Sequence, residues 1–344
     1  MGFCYFNSIA VAAKRLQFLS AASLLEALQP NQLDSNRALA GRPNEKPELP
    51  LAKRILILDW DIHHGNGTQS IFYTDSSVLY ISLHRHDNGY FFPGTGAVEE
   101  MGFGPGLGYS INIAWPPGVV IGDVEYLTAF RCIILPVIEE YQPDIILVSA
   151  GFDATSGHPA TLGGYAVSPA CYGWMTKLLA NRKLVLALEG GYELTSLCQS
   201  VEACVRALLL ASSETGTCKR KLMRLPDIEH SRLPIQGAVE CLLKVCKQHS
   251  QHWRCLDNIK NAAQIIKPLS EWLNTADEEE NEEEGSLVRN TLNRSIKKQR
   301  KVDEDDSCMS VDETKFCQHN DREVAATTDR MAGLKVTNAK TETC

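Results

Sequence analysis

The stretch ILILDWDIHHGNG, residues 55–67, contains the most information about the fold. Its apolar run predicts a buried strand that ends in two aspartates, two histidines and a glycine-rich turn. Because alternate side chains of a strand share a face, Asp59, Asp61 and His63 should point one way and Trp60 and Ile62 the other. A carboxylate and an imidazole two positions apart at a strand end are suitable metal ligands. The alternative is a surface turn with solvated charges.

Other apolar runs predict the rest of the sheet. They are continuous rather than alternating, which is typical of parallel strands covered on both faces. The predicted strands are Ile55–Asp61, Val78–His84, Ser110–Trp115, Asp144–Asp153 and Leu184–Tyr192. Helical patterns lie between and after them, at about 124–141 with Asp123 as N-cap, 169–179 capped by Ser168, 194–208 and 235–253. The fold class is therefore predicted as α/β, a doubly wound, mostly parallel sheet with helices on both faces.

The chain of 344 residues divides at about residue 274. Residues 1–274 are expected to form the folded domain, and the acidic segment 275–344 is expected to be disordered. Within the domain, residues 18–51 lack apolar periodicity and are predicted to be a loop insertion or a gene-model artefact. The net charge of −8 comes largely from the tail, so direct DNA binding is not expected. The run IKKQRK, 296–301, is either a nuclear localisation signal or solvated charge.

Cysteine usage and hydropathy indicate the compartment. The twelve cysteines form no CxxC pair, and several fall in apolar helical patterns, which is typical of reduced thiols in the cytosol or nucleus. There is no run of about 18 apolar residues, so no membrane span is expected.

A second acidic strand end follows residues 145–149, where Asp153 is the natural third metal ligand. Two aspartates and one histidine would leave a coordination position open for water, as in catalytic zinc sites. Manganese or iron would also suit a carboxylate-rich set of ligands. The alternative role for Asp153 is an N-cap of the following turn.

Two further segments suggest substrate contacts. In LEGGYEL the paired glycines allow a tight turn, and the Tyr192 phenol could donate a hydrogen bond to a developing oxyanion. In FFPGTG, residues 91–96, two phenylalanines on a rigid turn either line an apolar tunnel or face the core.

Taken together, GFCYFNSIAVAA, DWDIHHGNGTQ, SLHR, FFPGTG, SAGFDA, GHP, LGGY and LEGGYEL resemble the zinc-dependent histone deacetylase family. The closing HSQHWRCL resembles its class IIa. The resemblance covers about residues 2–209 and implies an arginase/deacetylase-like fold. It also implies zinc on Asp61, His63 and Asp153, with Tyr192 polarising the acetyl carbonyl. Asp59 and His64 would lie behind the ligands, and the acetyl-lysine tunnel would be formed by Phe3, Phe92, Pro159 and Leu162.

The resemblance also implies potassium ions. The inner site would use the carbonyls of Asp59, Asp61, His63 and Leu83 and the Ser82 hydroxyl. A second site would use carbonyls around Phe72, Asp75, Val78 and Tyr109.

Differences from the family pattern affect the expected activity. Vertebrate class IIa members carry histidine where Tyr192 stands, so the tyrosine indicates an invertebrate-type protein with real turnover. The family's paired-histidine base lies in an RPPGHH motif upstream of the GFC segment. The structural zinc subdomain of class IIa proteins lies further upstream. We therefore expect the sequence to be truncated at its N-terminus, the sheet to be incomplete there, and the chain by itself to be crippled in activity or inactive.

Two functional hypotheses follow. The first is a metal-dependent amidohydrolase that removes acetyl groups from lysines of histones or other proteins, acting in transcriptional repression in the nucleus and cytoplasm. The second is a catalytically dead module that reads acetyl-lysine or recruits corepressor proteins. Turnover of acetyl-lysine peptides distinguishes them.

Overall fold

The computed structural model describes residues 5–28, 52–212 and 231–272. All of them belong to the first of two compact units, Met1–Glu279. Phe3, residues 29–51 of the predicted insertion and the predicted tail 275–344 lie outside the described residues.

The described part contains a five-stranded, fully parallel sheet in the order β3-β2-β1-β4-β5. The strands are β1 Ile55–Asp59, β2 Val78–Arg85, β3 Ser110–Trp115, β4 Ile145–Ala150 and β5 Leu184–Leu188. All five predicted strands are present. Three of them end two to four residues earlier than predicted: β1 at Asp59, β4 at Ala150 and β5 at Leu188.

Both faces of the sheet are buried, which explains the continuous apolar runs. In β1, Leu56 and Leu58 belong to one buried cluster, while Ile55 and Ile57 belong to another on the opposite face. Each fully buried aliphatic side chain of this kind contributes roughly 1.5–3 kcal/mol. The predicted doubly wound architecture is confirmed.

Helices and helical turns cover the two faces. They are α1 Ser8–Leu28, α2 Asn66–Phe72, α3 Asp123–Ala129, a π-helical turn Phe130–Ile134, α4 Leu135–Tyr141, α5 Pro169–Leu179, α6 Leu194–Ser212, α7 Gln236–His249, α8 Arg254–Asp257 and α9 Ala262–Ile265. The first cluster includes side chains of α3, α4, α5 and α7, and the second includes α1 and α2.

Two sequence expectations need correction. Helix α1 continues to Leu28, so the first eleven residues of the predicted insertion are helical; alanine and leucine, which favour helix, are frequent there. Asp123 is not the N-cap of α3, since Gly122 holds that position. The Asp123 carboxylate accepts hydrogen bonds from Ser168 N and Oγ, both at 2.6 Å. Ser168 does cap α5, as predicted, by accepting a bond from Cys171 N.

One described stretch, Leu194–Ala211 within α6, is long and apolar enough to cross a membrane, although no such stretch was expected. A single helix of this kind is weak evidence, because core helices pass the same test. Glu202 and Arg206 form an ion pair within it.

Candidate metal centre

The loops after β1 and β4 bring three predicted metal ligands together. These strands are neighbours in the sheet, with Asp59 beside Ser149. Asp61 and His63 follow β1, and Asp153 follows β4. All three side chains are buried, and one potential ligand atom from each lies within 4.8 Å of the other two. The carboxyl ends of neighbouring parallel strands thus bring these three side chains together at one edge of the sheet.

Hydrogen bonds hold these side chains in place. His63 Nδ1 lies 3.0 Å from Asp153 Oδ2 and 3.2 Å from Asp61 Oδ1. Main-chain N–H groups orient the carboxylates: Ile62 N donates to Asp153 Oδ1, and His63 N donates to Asp61 Oδ1, each at 2.8 Å. A buried set of two carboxylates and one imidazole, already turned toward each other, is a donor set that a divalent metal ion fits.

The electrostatics of the cluster also favour a cation. Burial, reinforced by the charge of Asp61, raises the pKa of Asp153 to about 6. Burial also opposes ionisation of Asp61, but hydrogen bonds and charge from His63 outweigh it and lower the pKa of Asp61 to about 2. Burial opposes the charged form of His63 too, yet the two carboxylates raise its pKa to about 9. A bound metal ion would supply the positive charge that His63 supplies here.

Asp59 and His64 occupy different surroundings. Asp59 lies behind the cluster, where Oδ1 accepts a bond from Asp61 N at 3.2 Å and Oδ2 accepts one from the Tyr80 hydroxyl at 3.0 Å. His64 turns away from it: Nδ1 lies 2.8 Å from Thr95 Oγ1, and Nε2 lies 3.1 Å from Gln69 Oε1. His64 is therefore not brought to the open side of the ligands.

The two phenylalanines of FFPGTG are separated by the fold. Phe91 is buried, and its ring stacks on His63 with centroids 5.1 Å apart. Phe92 is 67% exposed and meets the His63 ring edge-on at 6.3 Å. The sequence offered a tunnel or a core position for the pair; Phe91 takes a core position, and Phe92 lies exposed beside the ligands, where its tunnel role stays a prediction. Phe91 was missed as a contact of the metal ligands, because sequence alone does not tell which of two adjacent phenylalanines turns inward.

Arg85, from the SLHR segment, joins two loops beside the cluster. Its guanidinium lies 4.5 Å above the Phe91 ring. It also donates to the carbonyl oxygens of Ala160 and Gly163, both at 2.8 Å. The loop that it holds carries the predicted rim residues, of which Pro159 is exposed and Leu162 half-buried. Arg85 was not singled out in the sequence, since its role depends on loops far apart in the chain.

The loop after β5 reaches the cluster through its main chain. Gly190 N donates to Asp61 Oδ2 at 3.0 Å, and Gly190 O accepts a bond from Phe152 N at 2.8 Å. A Cβ on Gly190 would lie 2.5 Å from Asp61 Oδ2 and 2.6 Å from Asp153 Oδ2, so only glycine fits. Tyr192, the predicted catalytic residue, follows two positions later and is 44% exposed.

The two sets of predicted potassium ligands lie on and beside strands β1, β2 and β3. Asp59 and Ser82 are register partners on adjacent strands, and Ser82 Oγ is 2.8 Å from His84 Nδ1. At the second predicted site, Phe72 O accepts a bond from Asp75 N and Tyr109 O accepts one from Tyr80 N. These carbonyls each retain a second lone pair, so their bonds leave both potassium predictions open.

Comparison with known proteins identifies the family. The histone deacetylase domain model matches residues 46–208. Histone deacetylase 7 of Homo sapiens is 46% identical over 264 residues, which cover 75% of this chain and 24% of that protein. Histone deacetylase 4 of Caenorhabditis briggsae is 46% identical over 259 residues, covering 74% and 25%. The chain belongs to the histone deacetylase family. Class IIa membership, predicted from HSQHWRCL, is confirmed by these relatives.

Solved deacetylase structures share the fold. The crystal structure of the HDA15 HD domain matches with a TM-score of 0.55 and 37% identity, covering 75% of this chain and 59% of that chain. The structure of the histone deacetylase Clr3 matches with a TM-score of 0.52 and 43% identity, covering 60% and 33%. The predicted arginase/deacetylase-like fold is confirmed. This histone deacetylase family chain spans about a quarter of the length of the two curated relatives described above.

Proposed function

We propose that the chain is part of a zinc-dependent protein lysine deacetylase, which hydrolyses acetyl-lysine to lysine and acetate. The observation that carries the proposal is the buried trio Asp61, His63 and Asp153, with potential ligand atoms within 4.8 Å of one another. Its position at the carboxyl edge of a parallel sheet is where folds of this kind build their sites. Membership in the histone deacetylase family supports the same reaction.

Each residue has a role in the proposed site. The three ligands would hold zinc, which when bound acts as a Lewis acid toward a carbonyl oxygen and activates water. Asp59 orients Asp61 through its hydrogen bond to Asp61 N. The Tyr192 hydroxyl would donate a hydrogen bond to the acetyl oxygen as that oxygen becomes negative. Phe92, with Phe3, would line the tunnel for the aliphatic part of acetyl-lysine, with Pro159 and Leu162 at its rim.

The remaining parts of the proposal concern ions, partners and place of action. Zinc is preferred to other metals on the resemblance to zinc deacetylases, and potassium would bind the carbonyls behind the site. Substrates would be acetylated lysines of histones or other proteins. Association with corepressor proteins, transcriptional repression and a nuclear and cytoplasmic location are proposed on the same basis.

Metal analysis tests the ligands. Asp153→Asn removes one carboxylate charge, while Asp144→Asn, at a half-buried position before the opposite end of β4, is the control. We expect the first variant to lower zinc affinity by roughly 100-fold or more, since changes behind the ligands already cost about 10- to 100-fold. Competition with a chromogenic chelator measures the affinity. Unchanged zinc binding by Asp153→Asn would disprove the ligand assignment.

Peptide turnover tests the reaction. Acetyl-lysine and trifluoroacetyl-lysine peptides are offered to this chain and to the full-length protein, because this chain spans only about a quarter of the length of its curated relatives. Tyr192→Phe should lower kcat of the full-length protein by about 10² to 10³-fold, as the loss of one oxyanion donor does. Tyr73→Phe, at the end of α2, is the matched control. A zinc-loaded full-length protein that hydrolyses neither peptide would favour the acetyl-lysine reader.

A further inference from the structure

His158, from the GHP segment, contacts the main chain at Tyr192. Its Nε2 lies 2.7 Å from Tyr192 N and 3.1 Å from Glu193 N, although Tyr192 is 34 residues further along the chain. Both main-chain groups are N–H donors, so Nε2 must accept two hydrogen bonds and cannot carry a proton. His158 itself is buried.

The other ring nitrogen fixes the tautomer. Nδ1 lies 3.1 Å from Thr155 O, which can only accept, so Nδ1 carries the proton and donates it there. Thr155 Oγ1 lies 3.3 Å from His158 Nδ1. It donates its own proton to Phe152 O at 2.8 Å, which leaves a lone pair on the side of the ring. In this arrangement His158 is neutral and protonated on Nδ1 alone, because protonation of Nε2 would place a proton against two N–H groups.

The two N–H groups precede helix α6, where the chain turns out of β5. Glu193 O accepts a bond from Leu197 N at 3.0 Å, and the Glu193 carboxylate accepts bonds from Ser196 N at 2.6 Å and Thr195 N at 3.2 Å. Ser196 Oγ in turn lies 2.9 Å from Thr155 Oγ1. The start of α6 and the His158 segment thus belong to one hydrogen-bonded network.

The ring of His158 has little room to move. A Cβ on Gly163 would lie 2.7 Å from His158 Cβ and 2.6 Å from Asp153 O, so the LGGY turn packs directly on it. The Tyr192 ring lies edge-on to the imidazole, with centroids 6.2 Å apart. The loop after β4 therefore contains both Asp153, a proposed metal ligand, and His158, which binds the main chain of Tyr192.

We propose that His158 is a positioning residue for Tyr192: as a neutral acceptor it fixes the main chain from which the phenol reaches the substrate. The inference rests on the proposed function of Tyr192. Because 44% of Tyr192 is exposed, side-chain packing restrains it less than it restrains the buried ligands, and the main-chain bonds carry more of the positioning.

A matched pair of variants tests this role. His158→Gln retains an acceptor oxygen near the place of Nε2. Methionine has almost the same shape as glutamine, but His158→Met has no acceptor oxygen there. In the zinc-loaded full-length protein, we expect His158→Met to lower kcat about 100-fold, the effect of a displacement on the order of 1 Å, with a much smaller change in KM. His158→Gln should recover most of this loss. Equal losses in both variants, or a loss in KM alone, would overturn the proposal.

Two measurements on this chain do not depend on turnover. Amide hydrogen exchange at Tyr192 and Glu193 should be about tenfold faster in His158→Met, as when one ordinary hydrogen bond is lost, and near wild type in His158→Gln. Zinc affinity should be the same in both. In wild type, ring ¹⁵N shifts should show a proton on Nδ1 of His158 and none on Nε2. The opposite tautomer, or unchanged exchange in His158→Met, would contradict the proposal.

These results separate the two proposals. If the wild-type full-length protein does not hydrolyse either peptide, but the tautomer and exchange results are as expected, His158 still positions the Tyr192 main chain and the deacetylase function fails. If turnover depends on Tyr192 but not on His158, the function stands and the positioning role fails.

Discussion

The two outer strands of the described sheet differ in how they are covered. Strand β3 is almost entirely buried, and helix α7 packs on it. Strand β5 is largely half-exposed, with Val185 48% and Leu188 60% exposed. The proposed metal ligands follow the inner strands β1 and β4, whereas Tyr192 follows β5. Packing therefore holds the ligands, while main-chain hydrogen bonds to Asp61 and His158 carry much of the positioning of the Tyr192 loop.

The largest effect is expected at an ion pair on the β3 side. Glu125 in α3 is fully buried, and Arg232 donates to both of its oxygens, at 2.7 and 3.0 Å. Glu125 also accepts a bond from Ile235 N, just before α7. Arg232→Gln leaves a buried carboxylate without its cation and should reduce the free energy of unfolding by about 3–5 kcal/mol. Urea unfolding measures this. A loss below about 1 kcal/mol would show that solvent reaches Glu125 and that this side is not tightly covered.

A pair of truncations compares the two outer strands directly. Ile113→Ala removes a fully buried side chain from β3 and should cost about 2–5 kcal/mol. Leu188→Ala removes an exposed one from β5 and should change stability by no more than about 0.5 kcal/mol. Unfolding midpoints of the two variants at equal m-values give the comparison. Similar costs would mean that β5 is as well covered in solution as β3.

Acid sensitivity should also come from the β3 side. His249 in α7 is fully buried in the fold, and burial lowers its pKa to about 4 from 6.5. Between these values the unfolded state binds the extra proton, so the stabilising contribution is complete above pH 6.5 and is lost as pH falls toward 4. The shift corresponds to roughly 3 kcal/mol. His249→Gln should reduce the slope of stability against pH in this window, and an unchanged slope would show that His249 does not contribute.

Sequence reasoning reached furthest where a local pattern determines the structure. The apolar runs predicted all five strands, and the polar residues after two of them predicted that Asp61, His63 and Asp153 form one cluster. It failed where partners far apart in the chain compete. Asp123 was predicted to cap α3, but its carboxylate accepts a hydrogen bond from Ser168 Oγ instead. His158 lies in the GHP segment, and the sequence assigned it no role, because its hydrogen bond from Tyr192 N exists only in the folded chain.

The smallest effect is expected on α6, beside β5. Arg206 pairs with Glu202 one turn earlier, and both side chains are more than half exposed. Their hydrogen bonds are well formed, with Arg206 Nε 2.9 Å from Glu202 Oε1, but water competes with both groups. Arg206→Gln should therefore cost only about 0.3–0.5 kcal/mol, less at high salt. It is the counterpart of Arg232→Gln, since an arginine is replaced by glutamine in both, but the partner carboxylate is exposed in Glu202 and buried in Glu125. A cost above about 1 kcal/mol that does not fall with salt would mean that something covers this face of α6 in solution. The exposed Leu188 beside it should then become sensitive to truncation as well.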